Sequence, residues 1–330
     1  MAQIDSALDE VARRADEWGS LRPVRADSVP WSLWEKSKQL FWDPATIDFT
    51  EDIAQWALMP EDAQLAVAGL ARGFMVGEEG VTLDIVPLLM AISDEGRLEE
   101  AIYLTSFTFE EAKHVDFFRR WFTAVDIDIF KLERLQDQRM GEQGLEPPDR
   151  QRTNGMFERE LPRVMRRLLT DRSPEAFLDA SVTYNQFVEG CLANAGYKVW
   201  GELFESLGVL PGLREGLTWI RKDESRHITY GTYLCRRILA AHPELIGPAR
   251  DRMYELRDYY FSEELILLPP EEIDESDVVG QMLDNFRRYA LMQVERRIKV
   301  LEAAAGLSTA EAEAGEGTEE AEAELADIAV

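Results

Sequence analysis

The chain has 330 residues, 45% of them hydrophobic, enough to fill the core of one large helical domain or two smaller ones. Its 36 basic and 63 acidic residues leave a net charge of −27, which argues against nucleic acid or an anionic membrane surface as a general partner; much of this charge also reads as solvated surface and tail. Cys191 and Cys235 lack CxxC spacing and sit in apolar helical stretches, so they read as buried thiols rather than a disulfide framework or zinc site. The opening MAQIDSALDEVARRADEWGS has no apolar signal core, and no apolar run reaches the length of a membrane span, so a reducing cytoplasm is the expected location.

Helical periodicity dominates, with no series of alternating strands. Pro60 to Leu89 reads as a long helix, apolar at Leu65, Val67, Leu70 and Phe74, which Pro87 should kink or end. Ser93 or Asp94 is placed to cap the next helix, which runs through Glu111 and His114 to about Trp121. Residues 140–154, MGEQGLEPPDRQRTN, read as a linker, and a short helix over about 156–170 fills part of the crossover. Ser173-Pro174-Glu175 starts the helix that carries Glu189, and Gly208 stops it ahead of Pro211-Gly212. The following helix carries Glu224 and His227 and should end near His242-Pro243; two more helical stretches cover roughly 244–267 and 277–304. Beyond Gly306 the composition falls to Ala, Glu and Gly without aromatics, which predicts a disordered or weakly helical tail. The expected organisation is one helical domain over 1–304 and an acidic tail over 305–330.

One pattern occurs twice along this chain. Glu78 is followed 33 residues later by Glu111 and then His114, and Glu189 is followed 35 residues later by Glu224 and then His227. Residues three apart share a helix face, so each Glu-x-x-His pair can grip one ion. Four carboxylates and two imidazoles from four helices are the ligand set of a dinuclear metal centre in a four-helix bundle. Oxygen and nitrogen donors suit iron and manganese, and the lack of thiolate argues against an iron–sulfur cluster. Two divalent ions would cancel the four carboxylates, and oxidation would make room for two further anions, such as hydroxide and a ligand carboxylate. A lone Glu-x-x-His is commonly a surface pair. Here the neighbours Phe107, Phe109, Phe117, Phe118, Ile220 and Ile228 are apolar, which is unlike a surface face. The third histidine, His242, precedes a proline and reads as a helix-end residue. Asp223 can orient a ligating imidazole, His114 across the bundle, or it can be an exposed Asp; the sequence leaves both open.

Over about residues 30–300 the chain resembles the ribonucleotide reductase small-subunit superfamily, and within it the ligand-binding oxidases. The motifs that carry the resemblance are LFWDPATIDFTED (40–52), VGEEGVTLD around Glu78, FEEAKH (109–114), YNQFVEG (184–190) and DESRH (223–227). The resemblance implies an all-α, ferritin-like four-helix bundle with additional helices. It implies a heterodinuclear centre: manganese held by Glu78, Glu111 and His114, iron by Glu189, Glu224 and His227, with Glu111 bridging and a di-iron pair as the variant. It further implies dioxygen activation, a Tyr184–Val81 ether crosslink, a bound long-chain fatty acid and a homodimer. Val81 shares a helix face with Glu78, whereas five residues on an α-helix carry Tyr184 away from the face of Glu189 unless a bulge intervenes. Read without the resemblance, Val81 is core packing and Tyr184 a buried, hydrogen-bonded tyrosine.

Three rival readings stand beside this one. A manganese–iron reductase small subunit shares the fold, and Trp42 and Asp223 look like pieces of its radical path, or else like core filler and an imidazole orienter. Such a subunit needs a tyrosine in its tail, but the last tyrosine is Tyr289, inside a predicted helix. Phe118 stands where many reductase subunits store a radical on tyrosine, although one reductase branch also has Phe. Ferritin-type iron storage and a lipid carrier whose metals only anchor a carboxylate are the other two.

Overall fold

The computed structural model describes residues 24–128, 134, 155–261 and 278–318. The proposed 140–154 linker and residues 319–330 of the tail lie outside these. Among the described residues every regular element is helical. In chain order they are α1 (Val29–Gln39), α2 (Thr50–Leu58), α3 (Glu61–Asp84), α4 (Val86–Asp94) and α5 (Leu98–Ala124), then α6 (Leu161–Arg167) and α7 (Pro174–Ser181). A π-helical segment, Val182–Ala193, leads into α8 (Asn194–Leu207), followed by α9 (Pro211–Ala241), α10 (Ile246–Tyr259), α11 (Val278–Ala303) and α12 (Thr309–Ala314).

Start and stop residues explain most boundaries. Ser173 accepts a hydrogen bond from the Ala176 amide and Pro174 opens α7, as the sequence signals. Gly208 ends α8 in the left-handed conformation at φ 64°. The start of α9 is capped from a distance: Asp52 on α2 accepts from the Gly212 and Leu213 amides at 2.7 and 2.8 Å and from Trp121 Nε1 at 3.0 Å. The expected Pro60–Leu89 helix is divided at Ile85 into α3 and α4, ahead of Pro87. Ser93 and Asp94 do not cap α5. They finish α4, and the chain turns through Gly96 at φ 70° before α5 starts at Leu98.

Two further differences concern composition. Phe109, counted among the apolar surroundings of the second motif pair, is 54% exposed. The tail, over its described part, is a capped helix docked on the bundle: Ser308 and Glu311 form a reciprocal capping box. Glu313 grips Arg97 through two bonds of 2.9 and 3.0 Å, and Arg236 donates to the Gly317 carbonyl at 2.6 Å. Local capping and an ion pair made 216 residues away outweigh the weak composition.

Helix α3 packs along α5, and the π segment packs on α9. These four rods enclose the centre. One hydrophobic cluster, including Val81, Phe107 and Tyr184, lies on one side of it; a second, including Phe117, Phe118 and Tyr197, lies on the other. Water is thereby kept from both ends of the polar core.

Candidate metal centre

The rods bring all six sequence-derived candidates together. Glu78, Glu111, Glu189 and Glu224 are at most 6% exposed, and His114 and His227 are fully buried. Their donor atoms form two interleaved groups, Glu78–Glu111–His114–Glu224 and Glu111–Glu189–Glu224–His227, each with one atom per residue lying within 4.8 Å of the others. Glu111 and Glu224 belong to both groups, so either carboxylate can span two ions. His114 Nδ1 lies 3.2 Å from Glu78 and 3.5 Å from Glu224, and His227 Nδ1 lies 3.0 Å from Glu111 and 3.7 Å from Glu189. Both Nδ1 atoms therefore face inward.

The phenol of Tyr184 donates to Glu111 Oε1 at 2.9 Å. Its helix makes this possible. In a π-helix the amide bonds to the carbonyl five residues back, so residues five apart come nearly into line, and the Tyr184–Glu189 separation becomes a shared face. The twelve-residue run of π-helix over Val182–Ala193 is the correction an ordinary helix lacks. On α3, Val81 is buried one turn beyond Glu78.

The profile described as "Ribonucleotide reductase, small chain" matches residues 23–303. The chain belongs to this family. Among solved structures, this small chain is similar to an R2-like ligand-binding oxidase from Sulfolobus acidocaldarius, at 32% identity over 88% of this chain and 95% of that one, with TM-score 0.72. It is also similar to a glycine-to-phenylalanine variant of an R2-like ligand-binding oxidase with an anaerobically reconstituted Mn/Fe cofactor, at 31% identity, 84% and 96% coverage and TM-score 0.72. A valine-to-leucine variant with an aerobically reconstituted Mn/Fe cofactor matches at 32% identity, 84% and 94% coverage and TM-score 0.71.

In this small chain each imidazole is backed from the opposite helix. His114 Nε2 on α5 lies 3.2 Å from Asp223 on α9, and His227 Nε2 on α9 lies 2.9 Å from Glu110 on α5. A carboxylate that accepts from Nε2–H leaves the Nδ1 lone pair facing the centre, which is the tautomer an ion requires. Arg226 joins the two backing groups, donating to Glu110 at 2.6 Å and to Asp223. Sequence reasoning found Asp223 and missed Glu110. The signal was present, since both motifs read acid-Glu-x-x-His and each leading acid crosses to the other motif's histidine. Asp223 also accepts from Trp42 Nε1 at 2.8 Å and pairs with Lys113 at 2.9 Å. His242 is a half-exposed C-cap that pairs with Glu244.

The donor set fits a metal pair. Glu189 Oε1, Glu224 Oε2 and His227 Nδ1 are buried without a hydrogen-bond partner, although His227 Nδ1 lies 3.0 Å from Glu111 Oε1. That short approach lacks hydrogen-bond geometry, and an ion between the atoms satisfies all of them. Electrostatics agree. Burial, opposed by His114, pushes Glu78 up to about 8. Burial and then Glu224 push Glu189 well above the carboxylate range, and burial and then Glu111 raise Glu224. For Glu111 the upward pull of burial is outweighed by His114 and His227, which hold its carboxyl low. Burial would lower both imidazoles, but their carboxylate neighbours raise them well above the ordinary value. Without cations from outside, the cluster must gather protons to stay neutral. A cavity of about 340 Å³ lies elsewhere, between α7 and α10, where Arg252 already pairs with Asp179 and Glu160.

Proposed function

We propose that the chain is a dioxygen-activating oxidase of the R2-like ligand-binding type, with a manganese and an iron ion at the six ligands. Glu78, Glu111 and His114 would hold one ion, Glu189, Glu224 and His227 the other, and Glu111 would bridge. The observation that carries this reading is the pair of interleaved carboxylate–imidazole groups with the Tyr184 phenol hydrogen-bonded to their shared Glu111. When bound, such a metal pair supplies reduction of dioxygen and oxidation of an unactivated C–H bond.

The protein's own part is positional. Asp223 and Glu110 fix the two imidazoles, and the apolar clusters exclude water. Tyr184 is held beside the centre by the π segment, and Val81 one turn from Glu78. Crosslinking breaks the Val81 Cβ–H and Tyr184 O–H bonds and forms one C–O bond. Two electrons and two protons leave, with dioxygen as the final acceptor. A long-chain fatty acid, its carboxylate at the ions, supplies one of the anions that oxidation of the pair admits. Exposed Leu83, Val86 and Met90 on α3 and α4, and Leu98 and Phe109 on neighbouring α5, suit the face of a homodimer. No helix among the described residues is long and apolar enough to cross a membrane, and the two free buried thiols suit a reducing cytoplasm.

Peptide mass mapping after aerobic metal loading tests the oxidase reading. A Val81 peptide joined to a Tyr184 peptide, two hydrogens lighter, is the expected product; two unlinked peptides in fully metallated protein would refute it. Lipid extracted from the purified protein should contain one long-chain acid per chain. Metal uptake that stops at two ions excludes iron storage, and unaltered Val81 after oxygen exposure would point to a carrier.

One observation favours a second reading, a reductase small subunit: the hydrogen-bonded line Trp42–Asp223–His114 runs from near the surface to the centre. Against it, Tyr289, the last tyrosine, is buried beside Ala195. Binding to a large subunit with ribonucleotide reduction would decide for the reductase.

A further inference from the structure

A column of aromatic rings leaves the centre on the side away from Trp42. The His227 imidazole lies flat on Phe107, with ring centres 3.6 Å apart and planes within 15°. Tyr103 follows Phe107 at 6.0 Å, Tyr230 follows Tyr103 at 5.3 Å, and Tyr233 follows Tyr230 at 6.4 Å. All are buried, and the oxidation of Val81 uses none of the three tyrosines.

Their hydroxyl groups differ in a way that selects one of them. Loss of an electron makes a phenol strongly acidic, so a tyrosine is oxidised readily only where a base can take its proton. The Tyr103 hydroxyl is buried without a hydrogen-bond partner. The Tyr233 hydroxyl faces the Glu313 backbone carbonyl at 3.5 Å, which is not a base. Tyr230 alone of the three donates to a carboxylate, Glu100 Oε2, at 3.1 Å. Glu100 is 3% exposed and lies 3.5 Å from each of Arg97 and Arg237, which favour its anion.

We propose that Tyr230, with Glu100 as its proton acceptor, is a second oxidisable site of this protein, a drain for oxidising equivalents that find no C–H bond at the centre. The Tyr230 O–H bond breaks. Its proton passes to Glu100 Oε2, and one electron passes through the Tyr103 and Phe107 contacts to the oxygen-oxidised metal pair, which is reduced by one equivalent. The products are a neutral tyrosyl radical and a carboxylic acid beside two guanidinium groups. The inference rests on the proposed activation of dioxygen at the six-ligand site.

The test uses full-length protein loaded with reduced manganese and iron, in a Tyr184→Phe background that removes the nearest phenol. Samples are mixed with dioxygen, freeze-quenched and read by electron paramagnetic resonance, while absorbance follows metal oxidation. The expected result is an organic radical whose hyperfine splitting collapses on ring deuteration of tyrosine. Its yield should fall at least fivefold with Tyr230→Phe, and likewise with Glu100→Gln, which keeps an acceptor oxygen but takes no proton. Tyr233→Phe should leave the yield unchanged. A radical undiminished in Tyr230→Phe, or complete metal oxidation with no radical, would overturn the proposal and leave the oxidase reading intact. Failure of the metals to oxidise would overturn both. Two ions per chain and an unchanged melting temperature in Tyr230→Phe separate the redox role from a structural one.

Discussion

The two halves of the centre present the same three donors on different backbones. Glu78 stands on α3, a regular helix, with only Val81 to place beside it. Glu189 stands on a π-helix, which must also aim Tyr184 at Glu111 and let Asn185 donate to Glu189 Oε2 at 2.9 Å. A single carboxylate asks nothing unusual of a helix; a carboxylate and a phenol five residues apart do. The halves are also linked unequally, because Glu111 and Glu224 serve both ions while Glu78 and Glu189 serve one each. Substitution should expose that inequality. Glu111→Ala should leave at most one ion per chain, bound roughly 100-fold more weakly, whereas Glu78→Ala should keep the ion at Glu189 and His227. Metal analysis after dialysis reads the difference; equal losses in the two variants would remove the case for a shared ligand.

The next effect concerns the backbones themselves. A Cβ on Gly231 of α9 would collide with the Asn185 side chain of the π segment, whereas a Cβ on Gly73 of α3 meets nothing within 4 Å. Gly231→Ala should therefore destabilise the protein by about 1–3 kcal/mol through overpacking. It should also lower the Val81–Tyr184 crosslink yield by displacing Asn185 and Glu189. Gly73→Ala should be neutral or stabilising by about 0.5–1 kcal/mol, with the crosslink intact. Thermal melts with mass mapping check both, and a Gly231→Ala protein that melts and crosslinks like the parent would show that the two helices do not depend on close approach there.

What the sequence disclosed follows the same division. The six donors were legible because their spacing repeats and the faces around them are apolar. Ser173 and Gly208 were legible because capping is local. The π-helix was not, since no residue signature announces i→i+5 bonding; only the misplaced phenol of Tyr184 hinted at it. Glu110 escaped notice because its partner, His227, is 117 residues away. The Asp52 cap of α9 and the Arg97–Glu313 pair escaped for the same reason, and with them the docked tail. Phe109 misled because an aromatic in a ligand helix need not face inward.

Proton occupancy gives a third test, on the metal-free protein. Glu78, Glu189, Glu224, His114 and His227 all have folded-state values raised above their unfolded ones. A group raised in this way holds its proton in the folded state after the unfolded state has released it, so stability falls as pH rises through that interval. For Glu78 the interval runs from its ordinary 4.5 to about 8. Glu111, held low, is ionised in both states there and contributes no slope. Metal-free protein should thus lose about 1–3 kcal/mol between mildly acidic and mildly alkaline pH. Metal-loaded protein should not, because the ions replace the protons, and metal affinity should rise over the same range. Denaturant titrations at several pH values measure this, and a metal-free protein that gains stability with pH would contradict the assigned charge state of both halves.

The smallest effect lies outside the centre and contrasts it with the tail. In the core the charges are buried and interdependent; at the tail Arg97 and Glu313 are 30% and 27% exposed and meet through a two-pronged contact. Solvent and salt screen that pair, so Glu313→Ala should cost only about 0.5–1 kcal/mol, and less at high ionic strength. The loss should nevertheless be local. The Arg236 bond to the Gly317 carbonyl and the burial of Thr318 depend on the same segment staying docked, so amides over 309–318 should exchange faster while those of α9 near His227 keep their protection. Hydrogen exchange of Glu313→Ala at low and high salt reads this directly. Faster exchange that spread into α9 would mean that the tail supports the centre, and unchanged exchange at the tail would mean that α12 is held by its capping box and apolar contacts alone.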